Sequence, residues 1–353
     1  MSINDPLDPS RIRRVLVTKL RHHGDVLLAS PVLGALKRHL PEAEIDALVY
    51  QETREMLAGH PALSRLHGIR RKATLSEEWR LYRTLRDRGF DLLVHLTSST
   101  RGAWLARLLR PVLSVGPVHG GKFYRNSFTH LYRNVRGNRR HTVENNLDAL
   151  RRIGIHITEE DKPLLLATDA GTEQAVDAHL QRLGLNSGRF ILLHPTSRWL
   201  FKCWPEEKVA ALAARLSERG YSLLLSGAPD KIEMEMLARI QARIPRSTPS
   251  LAGQLTLKQL AALIARARLF IGVDSAPMHI AAAVGTPVVT LFGPSGEIDW
   301  GPWRVPSRII TSDHTCRPCG MDGCGGGKRS ECLETIPVEH VLAAVLELLE
   351  QPR

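Results

Sequence analysis

The chain has 353 residues and a net charge of +12, with 43% hydrophobic and 5% aromatic residues. Its length suits two α/β domains, and no apolar run approaches the ~20 residues that span a bilayer. The polar, acidic and proline-containing segment 1–11 predicts neither a signal peptide nor an anchor, so we expect a cytoplasmic protein. The positive charge favours an anionic partner.

The first half of the chain alternates between apolar runs and amphipathic segments. This pattern predicts strands at residues 14–20, 45–50 and 91–96, and helices at residues 26–40, 77–88 and 143–153. Such alternation is typical of a parallel sheet covered on both faces. Residues 116–140 lose the periodicity, since glycine, histidine, arginine and aromatic residues alternate there. We expect them to form a long functional loop.

A strongly basic segment overlaps this loop. Between residues 101 and 140 there is no aspartate or glutamate, and the basic residues are Arg101, Arg107, Arg110, Lys122, Arg125, Arg133, Arg136, Arg139 and Arg140. Nucleic acid, an anionic membrane face or a phosphorylated substrate would each match this charge, and a solvated basic face is the alternative without a ligand. The segment contains no recognisable nucleic-acid-binding module, so we expect no nucleic-acid partner.

The strand–helix pattern restarts near residue 185. It predicts strands at residues 190–194, 221–226, 269–272 and 288–291, and helices at residues 206–219, 231–243, 257–266 and 338–349. Two successive α/β units predict two Rossmann-like domains that face each other across a cleft. We place an N-terminal domain at 1–165, a linker at 166–188, a C-terminal domain at 189–336 with a cysteine-rich loop at 314–332, and a final helix at 337–353.

Asp25 is the first candidate site residue. It follows the first predicted strand, and open α/β sheets bind ligands at the carboxyl ends of their strands. A carboxylate there can take a proton from an attacking hydroxyl. The alternative is that Asp25 is the N-cap of the next helix, a position that aspartate favours.

The segment 269–294 contains the second candidate site. A strand runs into Asp274, Ser275 and Ala276, where an alanine-rich helix begins. The first N–H groups and the positive dipole end of such a helix favour a phosphate, which small residues allow to approach the backbone. The alternative is an ordinary βαβ unit in which Asp274 or Ser275 caps the helix.

Two further turns follow predicted strands of the second half. Thr196, Ser197 and Lys202 lie beyond the strand at 190–194, where hydroxyls and a mobile ammonium group suit a diphosphate. A surface lysine before a helix is the alternative. Gly227 and Ala228 lie beyond the next strand, where a backbone turn can seat a base or a ribose.

Four cysteines cluster near the C-terminus, namely Cys316, Cys319, Cys324 and Cys332. In a cytosolic chain such a cluster more often indicates a metal than disulfides. The spacing lacks the paired CxxC…CxxC pattern of a zinc ribbon, so structural zinc is one alternative and His314 a substitute ligand. Cys203 is expected to be an unrelated thiol.

Taken in order, these segments resemble the lipopolysaccharide heptosyltransferases, glycosyltransferase family 9. The similar segments are KLRHHGDVLLASPVLGALK, HPTSRWLFKCWP, LLLSGAPD, HTCRPCGMDGCGGGKRSECL and the stretch from LAGQLTLKQ to VVTLFGPS. They extend over nearly the whole chain. The His-His-Gly-Asp turn and the cysteine loop are most similar to those of the type III enzymes of the inner core.

The resemblance implies a GT-B fold and an inverting transfer that requires no metal or other cofactor. The implied donor is ADP-L-glycero-D-manno-heptose. The implied acceptor is a phosphorylated lipid A–core oligosaccharide at the cytoplasmic face of the inner membrane, with peripheral membrane contact. Addition of the third heptose is expected. The alternatives are a transferase for the first or second heptose and a non-catalytic sugar-nucleotide-binding protein.

The resemblance also implies residue roles. Asp25 would be the general base, Lys202 would stabilise the departing ADP, and Asp274 would contact the heptose. The other implied donor-binding residues are Thr196, Ser197, Gly227, Ala228, Asp230, Ser275, Ala276, Met278 and His279. The expected acceptor-binding residues are His22, His23, Lys122, Arg125 and Arg133.

One position departs from the family pattern. Relatives often have a glutamate soon after the Gly-Ala-Pro turn that binds the ribose hydroxyls. Here Lys231 occupies the nearest equivalent place, flanked by Asp230 and Glu233. Asp230 is therefore expected as the substitute.

Overall fold

The computed structural model describes residues 8, 11–135, 137–244 and 248–351. The expectation drawn from the N-terminal segment falls mostly on residues outside this set, as does the basic residue Arg136. The chain divides into two compact units, Met1–Arg136 with Arg140–Ala167 and Gly137–Arg139 with Thr168–Arg353. Each unit is an α/β layer structure around its own sheet.

The first unit is built on a six-stranded sheet in the order β3-β2-β1-β4-β5-β6, with every pair parallel. Its strands are β1 Arg14–Lys19, β2 Glu44–Tyr50, β3 Leu63–Ile69, β4 Leu92–His95, β5 Leu113–Pro117 and β6 His130–Tyr132. Its helices are α1 His23–Leu27, α2 Ser30–His39, α3 Leu75–Arg88, α4 Thr100–Leu109, α5 Lys122–Arg125 and α6 Thr142–Arg151.

The second unit is built on a five-stranded parallel sheet in the order β11-β10-β9-β7-β8. Its strands are β7 Phe190–His194, β8 Ser222–Leu225, β9 Leu269–Val273, β10 Val288–Leu291 and β11 Ser307–Ile310. Its helices are α7 Ala170–Arg182, α8 Glu206–Glu218, α9 Lys231–Arg243, α10 Leu257–Arg266, α11 Ala276–Ala283, α12 Glu297–Trp300, α13 Glu331–Glu334 and α14 Val338–Glu350. The expected α/β class with two parallel sheets is confirmed.

The central strands are buried on both faces, as their continuous apolar runs indicate. In β1 every residue after Arg14 is buried, and all five residues of β7 and of β9 are buried. A strand covered on both sides loses the apolar–polar alternation of a half-exposed strand. The carboxyl ends of the strands therefore remain as the accessible edge of each sheet, where polar loops gather.

The predicted helix at 26–40 is two helices, α1 and α2. Pro31 lies in the first turn of α2 and has no backbone N–H to donate to the preceding turn. The helical hydrogen-bond ladder therefore stops before it and restarts. Such a proline is tolerated in the first turn, where N–H groups have no helical partner in any case.

The expectation of a long loop at 116–140 is wrong in part. Strand β6 pairs with β5, and Thr129 and Ser114 exchange backbone–side-chain hydrogen bonds of 2.8 and 3.0 Å beside it. A three-residue strand is too short to produce a visible sequence period. The short helix α5 lies between the two strands.

The expected linker at 166–188 contains a helix of the second unit. Asp169 caps α7 by accepting a hydrogen bond from the Thr172 N–H, at 2.8 Å. Arg266, in the last turn of α10, donates to both carboxylate oxygens of Asp177, at 2.6 and 3.0 Å. This bidentate ion pair fixes α7 to α10. The elements β3, α4, β11, α12 and α13 were also not predicted from the sequence.

Among the described residues, no helix has both the length and the apolar character needed to cross a membrane.

Candidate functional site

The candidate residues form two groups, one on each unit, and both lie at the carboxyl ends of parallel strands. In the first unit Asp25 follows β1 and lies inside the short helix α1. The N-cap position is His22, so Asp25 is not the cap of this helix. The Asp25 side chain is 13% exposed, and its Oδ1 lies 3.6 Å from Nε of Arg21. A partly accessible carboxylate beside one cation is chemically able to accept a proton.

The two histidines before Asp25 contact the neighbouring loop. His23 Nε2 lies 2.8 Å from the Glu52 carbonyl oxygen. Arg71 donates to His22 Nδ1 at 3.3 Å and stacks 4.3 Å above the Tyr50 ring. These contacts fix the turn that presents Asp25. Both histidines are therefore held in place next to the candidate base Asp25.

The expected acceptor-binding cations lie along the same edge of the sheet. Lys122 and Arg125 are exposed on α5 after β5, and Arg133 is exposed just after β6. Because parallel strands are ~4.8 Å apart and β5 is two strands from β1, the two strand ends are separated by roughly 10 Å. This spacing suits an extended ligand that reaches from Asp25 toward the cations.

Other members of the basic segment have local acidic partners. Arg101 forms an ion pair with Glu78, and Arg140 forms ion pairs with Asp148 and Glu144. These two arginines are therefore partly neutralised. The segment is not one uniform anion-binding surface, as its sequence alone suggested.

Sequence reasoning missed the polar turn after β4, which lies beside β1 in the sheet. Thr97 accepts a hydrogen bond from the Leu20 N–H at 3.1 Å, and Ser99 precedes α4. This turn could have been found from the sequence, because its polar residues directly follow the strand predicted at 91–96. Burial, with the charge of Lys19, lowers the pKa of nearby His95 to about 3, so this histidine is neutral and structural.

In the second unit, Lys202 and Asp274 form an ion pair. Lys202 ends a single turn of 3-10 helix after β7, and Asp274 follows β9 directly. The two side chains are 16% and 7% exposed, and Lys202 Nζ also lies 4.9 Å from the centre of the Trp199 ring. The pair places one ammonium group at the start of α11.

Helix α11 begins at Ala276, and Ser275 at its N-cap position makes no side-chain hydrogen bond to the first turn. The Ser275 hydroxyl donates to the Val273 carbonyl oxygen at 3.3 Å, and Asp274 pairs with Lys202. Ser275 therefore occupies the N-cap position, as one alternative expected, but its side chain makes no capping hydrogen bond. The first N–H groups of α11 are suited to an anion. Met278 and His279 lie deeper in the helix and are buried.

The turn after β8 brings Gly227 against Thr196. A Cβ at Gly227 would lie 3.3 Å from the Thr196 hydroxyl oxygen and 2.2 Å from Leu237 Cδ1, so glycine permits this close approach. Ala228 follows, half-buried. Thr196 and Ser197 are themselves buried, next to β7.

Glu233 is the functional candidate that sequence reasoning did not select. Asp230 caps α9 by accepting hydrogen bonds from the N–H groups of Ile232 and Glu233, at 2.9 and 3.4 Å. Glu233 is 4% exposed, and its Oε2 accepts a hydrogen bond from the Thr196 hydroxyl at 2.7 Å. The buried carboxylate beside the Gly227 turn is therefore Glu233, whereas Asp230 stabilises the helix.

Three further polar residues of this region, Cys203, His194 and Ser330, have structural environments. Burial raises the pKa of the Cys203 thiol to about 12, so it is protonated at neutral pH and is not a nucleophile. Burial lowers the pKa of His194 to about 4, and its Nδ1 lies 2.9 Å from the Ser226 hydroxyl. Ser330, at the end of the cysteine-rich loop, donates to the Phe201 carbonyl oxygen at 2.7 Å. That contact supports the turn containing Lys202.

The four clustered cysteines do not form a metal-binding group as placed. Cys332 is buried, whereas Cys316, Cys319 and Cys324 are exposed. Burial raises the pKa of Cys332, Arg317 opposes this, and the other three cysteines raise it further. His314 Nδ1 lies 2.9 Å from the Ser312 hydroxyl. Across the described ranges, no group of three or more histidine, cysteine, aspartate or glutamate side chains could hold a metal ion.

Comparison with known proteins agrees with this arrangement. The sequence model of the family described as glycosyltransferase family 9 (heptosyltransferase) matches residues 78–328, more than half of the chain. The chain is 38% identical over 341 residues to lipopolysaccharide heptosyltransferase 3 of Escherichia coli, covering 94% of this chain and 97% of that protein.

Two solved structures have the same fold. The family 9 glycosyl transferase of Veillonella parvula gives a TM-score of 0.83 at 23% identity, with 96% of this chain and 97% of that chain covered. The E. coli heptosyltransferase WaaC, solved with ADP, gives 0.72 at 18% identity, with coverage of 95% and 99%. Sequence and fold therefore lead to one conclusion: the chain belongs to glycosyltransferase family 9, the heptosyltransferases.

Proposed function

We propose that this protein transfers L-glycero-D-manno-heptose from ADP-heptose to the inner core of lipopolysaccharide, adding the third heptose with inversion. The observation that carries the proposal is the Lys202–Asp274 pair at the start of α11. It combines a mobile cation with uncapped helix N–H groups, which is the chemistry that a departing diphosphate requires. The 38% identity to heptosyltransferase 3 of E. coli supports the choice of the third heptose.

The proposed reaction combines one proton transfer with one substitution at the anomeric carbon. Asp25 takes the proton of an acceptor hydroxyl as that oxygen attacks the anomeric carbon from the face opposite the ADP. The bond between the anomeric carbon and the diphosphate oxygen breaks, and its electron pair leaves with ADP. Lys202 and the N–H groups of α11 stabilise the new negative charge. Attack from the opposite face gives inversion.

Asp274 has two tasks in this proposal. Its carboxylate holds Lys202 over the start of α11, and its position at the end of β9 allows contact with heptose hydroxyls. Glu233 binds the ribose hydroxyls of the donor, because it is the buried carboxylate beside the Gly227 turn. Asp230 is assigned to capping α9.

The proposed acceptor is the phosphorylated lipid A–core oligosaccharide at the cytoplasmic face of the inner membrane. The exposed cations Lys122, Arg125 and Arg133 support this choice, since they lie on the sheet edge that also presents Asp25. Their charges complement core phosphates. The protein is accordingly assigned to the cytoplasm, in peripheral contact with the membrane.

Catalysis in this proposal needs no metal. Structural zinc in the loop 314–332 is a separate hypothesis, supported by the electrostatic interaction of three cysteines with Cys332 but not by their present arrangement. Metal analysis of the purified protein tests it without any assay of transfer.

The decisive experiment replaces Asp25 by asparagine, which keeps the size of the side chain but cannot act as the base. We expect transfer to purified core lipopolysaccharides to be abolished and ADP-heptose binding to stay nearly unchanged. Glu42→Gln, at an exposed carboxylate of the same unit, is the matched control and should keep wild-type transfer. If Asp25→Asn loses donor binding, Asp25 has a structural role and the proposed base is wrong.

The same assay identifies the acceptor. The protein is first treated with EDTA to remove metal ions. It is then given lipopolysaccharides truncated at each inner-core heptose, and the mass of the product is measured. We expect one heptose to be added only to the acceptor that already has two. Addition to an earlier acceptor would assign the first or second transfer. Donor binding without any product would favour a non-catalytic binder.

A further inference from the structure

An apolar groove lies between α3 and α4 of the first unit. Its cavity has a volume of about 270 Å³. The apolar and aromatic lining includes Leu75, Trp79, Tyr82, Trp104 and Leu108. These residues recur three or four positions apart on each helix, so each helix presents one apolar stripe.

This groove opens to solvent. Leu75 is 89% exposed, Trp79 is 57% exposed and Trp104 is 54% exposed. Phe123 of α5 extends the apolar surface, since its ring centre lies 5.1 Å from that of Trp104. We call Leu75, Trp79, Tyr82, Trp104, Leu108 and Phe123 the aromatic face. Large apolar side chains gathered on an exposed surface of this kind indicate an interaction site.

The helices that form the aromatic face also have exposed positive charge. The exposed basic residues on its three helices and the cap of α4 are Arg80, Arg83, Arg86, Arg107, Arg110, Lys122 and Arg125. Arg107 also stacks 4.7 Å from the Phe123 ring centre.

The acidic residues near the groove are paired. Glu78 forms an ion pair with Arg101, and Glu77 lies 2.6 Å from Arg70. The remaining acidic residue of α3, Asp87, is in its last turn, beyond Tyr82. The rim of the groove is therefore cationic.

We propose that the aromatic face docks on the surface of an anionic lipid bilayer. Tryptophan prefers the boundary between headgroups and acyl chains, and arginines around an apolar stripe bind lipid phosphates. A protein partner would need acidic groups placed against each arginine, whereas a bilayer supplies phosphates at every position. The charge and the exposed indoles together favour the bilayer.

The position of α5 connects this surface to the proposed reaction. Phe123 belongs to the aromatic face, and Lys122 and Arg125 on the same short helix are the proposed acceptor-binding cations. Docking through Phe123 would hold these cations at the level of the headgroups. This proposal rests on the proposed function, in which the acceptor is anchored in a membrane. Binding to vesicles can nevertheless be measured without any transfer of heptose.

The first test is sedimentation of the full-length protein with acceptor-free vesicles of phosphatidylethanolamine and phosphatidylglycerol. Wild-type protein should bind these vesicles and bind phosphatidylcholine vesicles far more weakly. The double variant Trp79→Ser/Trp104→Ser should bind the anionic vesicles about tenfold or more weakly. Ile232→Ser, which removes an equally exposed apolar side chain (54%) from α9, should bind like wild type.

A second measurement locates the contact even if the serine variant folds poorly. Vesicles with brominated acyl chains should quench tryptophan fluorescence of the wild-type protein. Trp79→Phe/Trp104→Phe keeps an apolar face, so it should still bind but lose the quenching. Unchanged vesicle binding by a folded serine variant, or quenching retained in the phenylalanine variant, would overturn the proposal, as would absence of wild-type binding.

Failure of this proposal is distinguishable from failure of the proposed function. With a delipidated, water-soluble core oligosaccharide as acceptor, the serine variant should transfer heptose at the wild-type rate. Loss of vesicle binding with this rate retained supports docking through the aromatic face. Normal vesicle binding by a wild-type protein that transfers no heptose would instead contradict only the proposed function.

Discussion

The ion pair between Lys202 and Asp274 joins residues that are 72 positions apart in the chain. Both side chains are largely buried, so removal of either partner leaves a charge in a poorly solvated place. If Lys202 stabilises the leaving group as proposed, the same side chain contributes both to folding stability and to transfer. A single substitution cannot separate these two contributions.

We predict that Lys202→Met lowers kcat about 100-fold, because one cation that faces the developing charge is lost. It should also lower the free energy of unfolding by about 3 kcal/mol, because Asp274 stays buried without its partner. Steady-state kinetics and urea unfolding measure the two effects.

The double variant Lys202→Met/Asp274→Leu provides the control. An apolar pair in place of a buried ion pair should recover most of the stability. It should remain as inactive as the single variant. Recovery of transfer in the double variant would mean that Lys202 acts on the fold and not on the diphosphate.

Glu233 permits a more closely matched comparison within one helix. Glu233→Gln keeps an oxygen that accepts the Thr196 hydrogen bond but removes the negative charge. If this carboxylate binds the ribose hydroxyls, ADP affinity should fall about tenfold, with little change in stability. Glu235→Gln changes an exposed carboxylate two residues away and should leave affinity unchanged. Calorimetric titration with ADP gives both values, and equal affinities for the two variants would exclude Glu233 from the ribose site.

At the scale of elements, each sheet places its polar turns at the carboxyl ends of its strands. Helix α11 is the element on which the proposed donor site depends, because its first turn follows the end of β9. Its Ser275 side chain bonds back to the Val273 carbonyl oxygen. The first turn of α11 therefore has no side-chain cap. Added negative charge there should raise the stability of the protein but weaken its binding of an anion.

We predict that Ser275→Asp stabilises the protein by about 0.5 kcal/mol, since a carboxylate favours a helix N-terminus. The same charge should repel a diphosphate and weaken ADP binding about tenfold or more. Thr74→Asp makes a similar exchange at the cap of α3 in the other unit and should not alter ADP binding. Thermal unfolding and ADP titration distinguish the effects; unchanged ADP affinity in Ser275→Asp would place the diphosphate elsewhere.

For the whole molecule, two buried histidines, one in each unit, contribute to the pH dependence of stability. Burial, assisted by Lys19, lowers the pKa of His95 to about 3, and burial lowers the pKa of His194 to about 4. In an unfolded chain histidine has a pKa near 6.5. Below that pH the unfolded state binds protons that the folded state does not, so stability falls as the pH decreases from about 6.5 toward 4.

We predict that each unit loses about 1.4 kcal/mol of stability between pH 8 and pH 5.5, from one histidine each. Urea unfolding at the two pH values measures the loss. In the folded wild type, the ring protons of His95 and His194 should show no titration by NMR above pH 5. Titration of either ring near pH 6.5 would contradict this account.

Much of the second unit could be predicted from the sequence. The predicted limits of β7, α9, α10 and β10 agree with the structure, because long apolar periods and strong turn residues are local signals. The short β6 was missed because three residues contain no period. The helix in the expected linker was missed because its hydrophobic face is weak, with Val176 and Leu180 as its buried residues.

The sequence by itself determined the family, the α/β class and the placement of candidates such as Asp25 and Lys202 at strand ends, since all of these follow from local pattern and from the order of motifs. Only the tertiary structure decided that Glu233 rather than Asp230 lies buried beside the Gly227 turn, and that Lys202 forms an ion pair with Asp274. It also decided that α3, α4 and α5 join their aromatic residues into one face. Such contacts depend on the packing of distant segments, and packing is not encoded in the spacing of any single segment.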